Sequence, residues 1–284
     1  MKNILKSVFI SVFPLIAIYL FFTSISIFLK ESFSMYQIGK TLSSLSIIVF
    51  FAGLFLKPQA RTSANLNGYS LFIFTGFFVG LFGFIKYNIS LYFDLTVFFL
   101  LIISWISYLK WYSVFENRLA NSILKVGNKL PEFEFENSNK LQISSDSFIG
   151  NFSIFLFYRG NWCPLCMAQI KEIVAQYKEI EKRGIHMILI SPQPHAFSEA
   201  LARKNKIPFQ FLTDKNNTVA KKLGLFHKAG TPAGFQILGY DTDTVMPTVI
   251  ITDKNQKIIY IDETDNYRVR PEPETFFNII DNLN

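Results

Sequence analysis

The sequence predicts a chain of two parts. An all-α transmembrane region of four helices occupies 1–112, and an α/β sandwich, a mixed sheet with flanking helices, occupies 131–284. Three observations lead there: long uncharged apolar runs in the first part, strand-like and helix-like stretches alternating in the second, and an uneven spread of charge. Residues 1–117 hold 8 Lys/Arg and 3 Asp/Glu, and residues 118–284 hold 20 and 18. Most of the net +7 therefore lies between apolar runs, as in loops flanking membrane spans. A nucleic-acid footprint would put it on a soluble face, so no nucleic-acid partner is expected.

The first helix is expected over 7–29, where 23 residues carry no charge between Lys6 and Lys30; a bilayer span needs about 20. The run lacks a small-residue cleavage site and is read as retained. The second, 38–56, draws on the 16 uncharged residues between Lys40 and Lys57, extended by Gln37-Ile38-Gly39. The third, 69–85, carries Gly76, Gly80 and Gly83 as a small-residue face for close packing. The fourth, 89–109, has Asp94 near its start, read as an interfacial carboxylate or, alternatively, a buried functional acid.

Four spans return the chain to its starting side. Lys2, Lys6, Lys57, Arg61, Lys110, Arg118 and Lys125 then face Lys30, Lys40 and Lys86 across the bilayer, which predicts a cytoplasmic C-terminal domain. The region contains no Cys or His, so thiol relay and His-ligated haem are excluded within it. Anchoring in the lipid bilayer is its expected role, with a quinone or other small-molecule site as the alternative.

Trp111 and Tyr112 suit the headgroup layer, and 113–130 reads as a connector. Phe133-Glu134-Phe135-Glu136 and Leu141-Gln142-Ile143 alternate with period two around Asn137-Ser138-Asn139, a hairpin signal. An apolar strand follows at Phe152–Tyr158. Ile170, Ile173, Val174, Tyr177 and Ile180 recur at helical spacing, predicting one helix from Met167 to Arg183 that ends at Gly184. Strand His186–Ile190, helix Ala196–Asn205, strand Phe209–Leu212 and helix Thr218–Leu223 alternate. Strands Thr248–Thr252 and Lys257–Ile261 flank a Lys254-Asn255 turn, and helix Glu272–Leu283 closes. This order suits one mixed sheet between helices. Arg203, Lys204 and Lys206 read as a solvated helix face.

The chain has only two cysteines, Cys163 and Cys166. They sit directly after an apolar strand and before a helical pattern, with Pro164 suited to the first helical position. A helix N-terminus favours thiolate, and a second thiol one turn away can resolve a mixed disulfide. A bridge between them would close almost no loop, so it is read as reversible chemistry rather than a staple. A metal site would need two further ligands, and His186, His195 and His227 lack the spacing; no metal and no cofactor is expected.

Together with Gly127-Asn128-Lys129-Leu130-Pro131, Phe157-Tyr158-Arg159-Gly160-Asn161-Trp162-Cys163-Pro164-Leu165-Cys166, Ser191-Pro192, Phe211-Leu212-Thr213-Asp214, Met246-Pro247-Thr248-Val249-Ile250 and the stretch from Tyr267 to Glu274, this domain resembles the thioredoxin superfamily. It is most similar to the peroxiredoxin-like redoxins of the alkyl hydroperoxide reductase C and thiol-specific antioxidant group. The resemblance implies a thioredoxin-like fold, a cis Pro247 against the dithiol, and Met246 backbone groups open to an extended substrate strand.

The departures are specific. Typical peroxiredoxins carry Pro and Thr seven and three residues before the reactive cysteine. Those places fall on Arg159 and Cys163 if Cys166 reacts, and on Leu156 and Gly160 if Cys163 does. The family's arginine before the late strand has no match at Val245 or Met246, leaving Arg159, Arg268 or Arg270 to supply a guanidinium. Phe157 stands where thioredoxins carry a buried acid.

Cys163 is the expected nucleophile and Cys166 the resolving thiol. Arg159 is the candidate for lowering a thiol pKa or orienting a peroxide, and Trp162 for shielding the site and docking partners. The expected function is a membrane-anchored, thiol-dependent oxidoreductase that reduces peroxides or disulfides and is itself reduced by a thioredoxin or glutathione system. It would be a multi-pass protein of a bacterial inner membrane. A non-catalytic redox sensor, or a thiol–disulfide exchange and maturation factor on the exported side, are the alternatives.

Overall fold

The computed structural model describes the chain except residues 31–33, 116, 117, 119–122, 138, 206 and 284. Much of the expected connector, Ser138 of the expected hairpin turn and Lys206 of the basic face thus lie outside the described residues. The chain forms two compact units. One comprises Leu5–Pro58 and Thr62–Val114, the other Phe115–Asn284 with Met1–Ile4 and Gln59–Arg61.

The first unit is helical: α1 (Lys2–Lys30), α2 (Met35–Leu56), α3 (Asn67–Lys86) and α4 (Tyr92–Ser107), the last running into a π-helical turn at Tyr108–Tyr112. All four are long and apolar enough to cross a membrane. α4 starts at Tyr92, later than its apolar run, behind a non-helical Leu91 (φ −81°, ψ 60°). The glycine face packs as its spacing suggests. A Cβ on Gly39 would stand 2.2 Å from the Gly80 nitrogen, and one on Gly76 would stand 2.5 Å from Ser43 Oγ.

Lys40 corrects the reading of the flanking charges. It lies inside α2, fully buried, with Nζ 2.7 Å from Asp94 Oδ2. The Tyr36 hydroxyl donates to the same oxygen at 2.8 Å. The helix begins before the apolar run does, so this lysine joins the bundle interior, where an ionised group persists only with a partner.

The second unit is built on a seven-stranded mixed sheet of β1 (Glu134–Glu136), β2 (Gln142–Ser144), β3 (Ser153–Phe157), β4 (His186–Ser191), β5 (Gln210–Thr213), β8 (Thr248–Thr252) and β9 (Ile258–Asp262). The order is β2-β1-β5-β4-β3-β8-β9. β3, β4 and β5 run parallel, while β8, β9, β1 and β2 join antiparallel. All five residues of β3 and of β8 are buried, as befits central strands covered on both faces. Helices α5 (Pro164–Ala175), α6 (Tyr177–Lys182), α7 (His195–Asn205), α8 (Thr218–Lys222) and α9 (Pro273–Asp281) complete the thioredoxin-like sandwich. Phe155, Phe157, Ile188, Ile190, Leu212 and Ile250 are central to its core.

Two features differ from the sequence reading. The single helix expected over 167–183 is two, α5 and α6, broken at Gln176 (φ −97°, ψ 13°). Ile170, Ile173 and Ile180 nevertheless stay buried: periodicity reports which face is apolar, not whether the hydrogen-bond ladder is continuous. A two-stranded ribbon of β6 (Phe226–His227) and β7 (Thr244–Val245) brackets a loop at 228–243. Two residues are too few for alternation to be visible.

Candidate active site

β3 carries the chain to the site, and Tyr158 extends its pairing by donating its backbone N–H to Ile190 O at 2.9 Å. The chain then turns through Arg159 to Trp162. Gly160 has φ +150°, and a Cβ there would stand 2.6 Å from Trp162 Nε1, so glycine is required both by backbone and by space. Cys163 occupies the N-cap of α5 in extended conformation with Pro164 as the first helical residue; its side chain does not cap the helix. Cys166 follows within the first turn, where the unpaired backbone N–H groups favour an anion.

Both thiols are free and buried, with sulfurs 2.7 Å apart. Arg270, reached by the chain after β9, aims its guanidinium at this pair. Nη2 donates to Cys166 Sγ at 3.4 Å, Nη1 to Gln169 Oε1 at 2.9 Å, and Nε to Tyr267 O at 3.0 Å. Burial by itself pushes the Cys166 thiol up. The hydrogen bond with Cys163, the Arg270 charge and the Arg159 backbone outweigh it and hold Cys166 well below the ordinary thiol range. Burial and then the neighbouring Cys166 sulfur push Cys163 well above it. The Arg270 guanidinium beside the sulfur thus favours a thiolate on Cys166.

A polar lattice fixes the turn. Gln193, after β4, accepts the Asn161 N–H at 2.8 Å and donates to the Tyr158 hydroxyl at 3.0 Å and to Ser198 Oγ at 3.2 Å. The Tyr240 hydroxyl donates to Asn161 Oδ1, and Thr244 Oγ1 donates to Arg159 O at 2.8 Å.

The residues singled out from the sequence converge here, with altered parts. Arg159 is buried; its guanidinium donates to Gly230 O and lies 4.8 Å from the centre of the Trp162 ring. The guanidinium of Arg270 rather than that of Arg159 contacts a sulfur. Trp162 is half-buried, with its ring edge against Phe235 at 5.8 Å.

Met246 and Pro247 have partners within the chain. The Met246 N–H donates to Leu225 O at 2.8 Å, so that donor is not open to a substrate strand, and its carbonyl accepts from Thr248 Oγ1 at 3.0 Å. No peptide bond among the described residues is cis. Arg118, from the connector, donates through both terminal nitrogens to Pro247 O at 3.0 Å, anchoring this segment from within the chain.

Gln193, Gln169, Tyr240 and Arg118 were not singled out as site residues. Gln193 follows Ser191-Pro192, which is the one local signal; the others depend on tertiary placement. No three His, Cys, Asp or Glu side chains among the described residues form a metal-binding group.

Residues 126–261 match the AhpC/TSA family model. The chain is 30% identical over 142 residues to the chloroplastic peroxiredoxin Q of Arabidopsis thaliana, covering 49% of this chain and 64% of that protein. It is 27% identical over 139 residues to peroxiredoxin Q of Sedum lineare, covering 49% and 74%, and 26% identical over 157 residues to a peroxiredoxin of Aquifex aeolicus, covering 52% and 67%. Against peroxiredoxin Q of Oryza sativa subsp. japonica the match, at 28% identity, covers 38% of this chain and spans half of that protein's length. Among solved structures, peroxidoxin BcpB from Mycobacterium tuberculosis aligns with a TM-score of 0.47 at 16% identity, over 57% of this chain and 99% of that one. The sheet order and the dithiol at the start of α5 agree with the family-model match: residues 126–261 are similar to the peroxiredoxins of the AhpC/TSA family.

Proposed function

We propose that the protein is a membrane-anchored thiol peroxidase in which Cys166 attacks and Cys163 resolves. The observation that carries the assignment is the Arg270 guanidinium 3.4 Å from Cys166 Sγ. It supports a thiolate on Cys166 and reverses the order expected from the spacing alone. The Cys166 thiolate attacks one peroxide oxygen. An S–O bond forms, the O–O bond breaks, and the alkoxide or hydroxide leaves and takes up a proton from solvent. The Cys163 thiol then attacks the Cys166 sulfenic sulfur, forming the Cys163–Cys166 disulfide and releasing water. An external reductant, one thioredoxin-type dithiol or two glutathione thiols, returns two electrons and two protons.

In this register Cys163 stands three residues before the reactive sulfur, where the family has its threonine, and Arg270 supplies the guanidinium from a different part of the chain. The occupied Met246 N–H weighs against an extended protein substrate and towards a small one. The four apolar helices support anchoring, and the Lys and Arg flanking them support a cytoplasmic domain; without Lys40, seven such residues face two.

The test is hydrogen peroxide consumption coupled to a thioredoxin and its reductase, with the full chain in detergent or nanodiscs. Turnover that is lost in Cys166→Ser is expected. Absence of peroxide turnover together with rapid reduction of insulin disulfides would replace this reading with general thiol–disulfide exchange.

A further inference from the structure

Beside the dithiol, the loop between β6 and β7 carries an apolar tip. Ile237 is 90% exposed and Leu238 62%, adjacent on a 3₁₀ turn, Phe235–Leu238. Local backbone geometry and hydrogen bonds define the turn. Left-handed Gly234 and Gly239 bracket it, Gly239 N–H donates to Gln236 O at 3.0 Å, and Gly234 N–H donates to Gln236 Oε1 at 3.0 Å. Phe235 packs on Trp162, and Tyr240 stacks on Phe197 at 4.8 Å, so the underside is fixed to the active-site turn while the tip is left bare. From Ala229 to Tyr240 the loop has no charged residue. A soluble surface normally interrupts such a patch with charge.

The chain itself indicates the occupant. Lys228, at the base of this loop, accepts a hydrogen bond through its carbonyl from the Asn3 amide at 2.9 Å, and Met1–Ile4 group with this domain. The first uncharged run begins four residues later, at Ser7. The base of the loop is therefore fastened to the stretch from which the chain enters its first apolar helix. An uncharged turn with two bare aliphatic side chains matches the boundary between headgroups and acyl chains.

We propose that Ile237 and Leu238 embed in the surface of the bilayer that the chain's own helices span. The tip then holds the Trp162 side of the dithiol against that surface. The inference rests on reading the four helices as membrane spans, which is part of the proposed function.

The test uses the full chain carrying Cys163→Ser, Cys166→Ser and Ile237→Cys, labelled with an environment-sensitive NBD fluorophore, in phosphatidylcholine nanodiscs. Leu141→Cys, at a position 61% exposed on the hairpin, serves as the reference. Emission from 237 is expected to be blue-shifted and quenched roughly twofold or more by phosphatidylcholine bearing a doxyl group near the headgroup, with 141 unaffected. Equal, water-like emission at both positions overturns the proposal. So does shielding of 237 that appears only on adding thioredoxin or only at high protein concentration, which would make the occupant a protein partner or a second copy. Extraction of the chain from vesicles by alkaline carbonate would instead show that the membrane reading itself had failed, and the docking inference with it.

Discussion

At the residue scale, the Arg270 guanidinium on the Cys166 sulfur is one of the groups that hold that thiol down. Removing its charge takes away part of what offsets burial, so the Cys166 pKa rises and the thiolate fraction at neutral pH falls. Arg270→Ala is expected to slow peroxide reduction on the order of tenfold or more at pH 7, because an opposite charge at this range is worth roughly 1–3 pKa units. The sign also fixes the pH profile. In the native protein the rate is flat at neutral pH and falls as pH drops through the depressed Cys166 pKa; in Arg270→Ala the fall starts at higher pH. Stopped-flow rates across pH, with Arg270→Lys as a partial rescue, check this. Equal profiles for the native protein and Arg270→Ala would remove Arg270 from the mechanism. Both cysteines and their neighbour Pro164 were legible in the sequence, because a dithiol at a strand–helix junction is a local pattern. Arg270 was legible only as one of three candidate arginines, since its role depends on where the chain returns after β9, more than a hundred residues after Cys166.

At the scale of elements, the site depends on lashings between loops. Gln193 ties the end of β4 to the dithiol turn and is itself 3% exposed. Gln193→Ala leaves the Asn161 N–H without its acceptor and the Tyr158 hydroxyl without its donor, and is expected to cost about 1–3 kcal/mol of domain stability, read by urea unfolding. A loss below a few tenths would mean that the turn holds without it. In the helical unit, Lys40→Ala strands the Asp94 carboxylate and is expected to destabilise on the order of 3 kcal/mol, with Lys40→Ala/Asp94→Ala milder than either single change; thermal denaturation in nanodiscs compares the three. The apolar periodicities placed both elements, yet they missed the break at Gln176 and the burial of Lys40. A break that preserves phase leaves no trace in periodicity, and a lysine looks like a span boundary until its carboxylate partner on another helix is known.

At the scale of the whole molecule, an apolar helical region without thiols precedes a domain with a buried dithiol, so the proposed function has reducing equivalents arriving from the domain's own side. Leu141→Cys in the Cys163→Ser/Cys166→Ser background is expected to react with a membrane-impermeant maleimide only after lysis; labelling in intact cells would move the domain to the exported face. The architecture was legible because charge and periodicity change abruptly after the fourth helix. The closure of the Met246 edge was not, because the same Met-Pro-Thr sequence is compatible with a backbone that is open or one already bonded to Leu225. The central claim is that Cys166 attacks and Cys163 resolves, and intact-mass analysis of Cys163→Ser and Cys166→Ser after a short pulse of hydrogen peroxide tests it most directly. Cys163→Ser should gain one oxygen, trapped by dimedone, while Cys166→Ser stays unmodified over the same interval; rapid sulfenic acid formation on Cys163 in Cys166→Ser, with an inert Cys163→Ser, would contradict it.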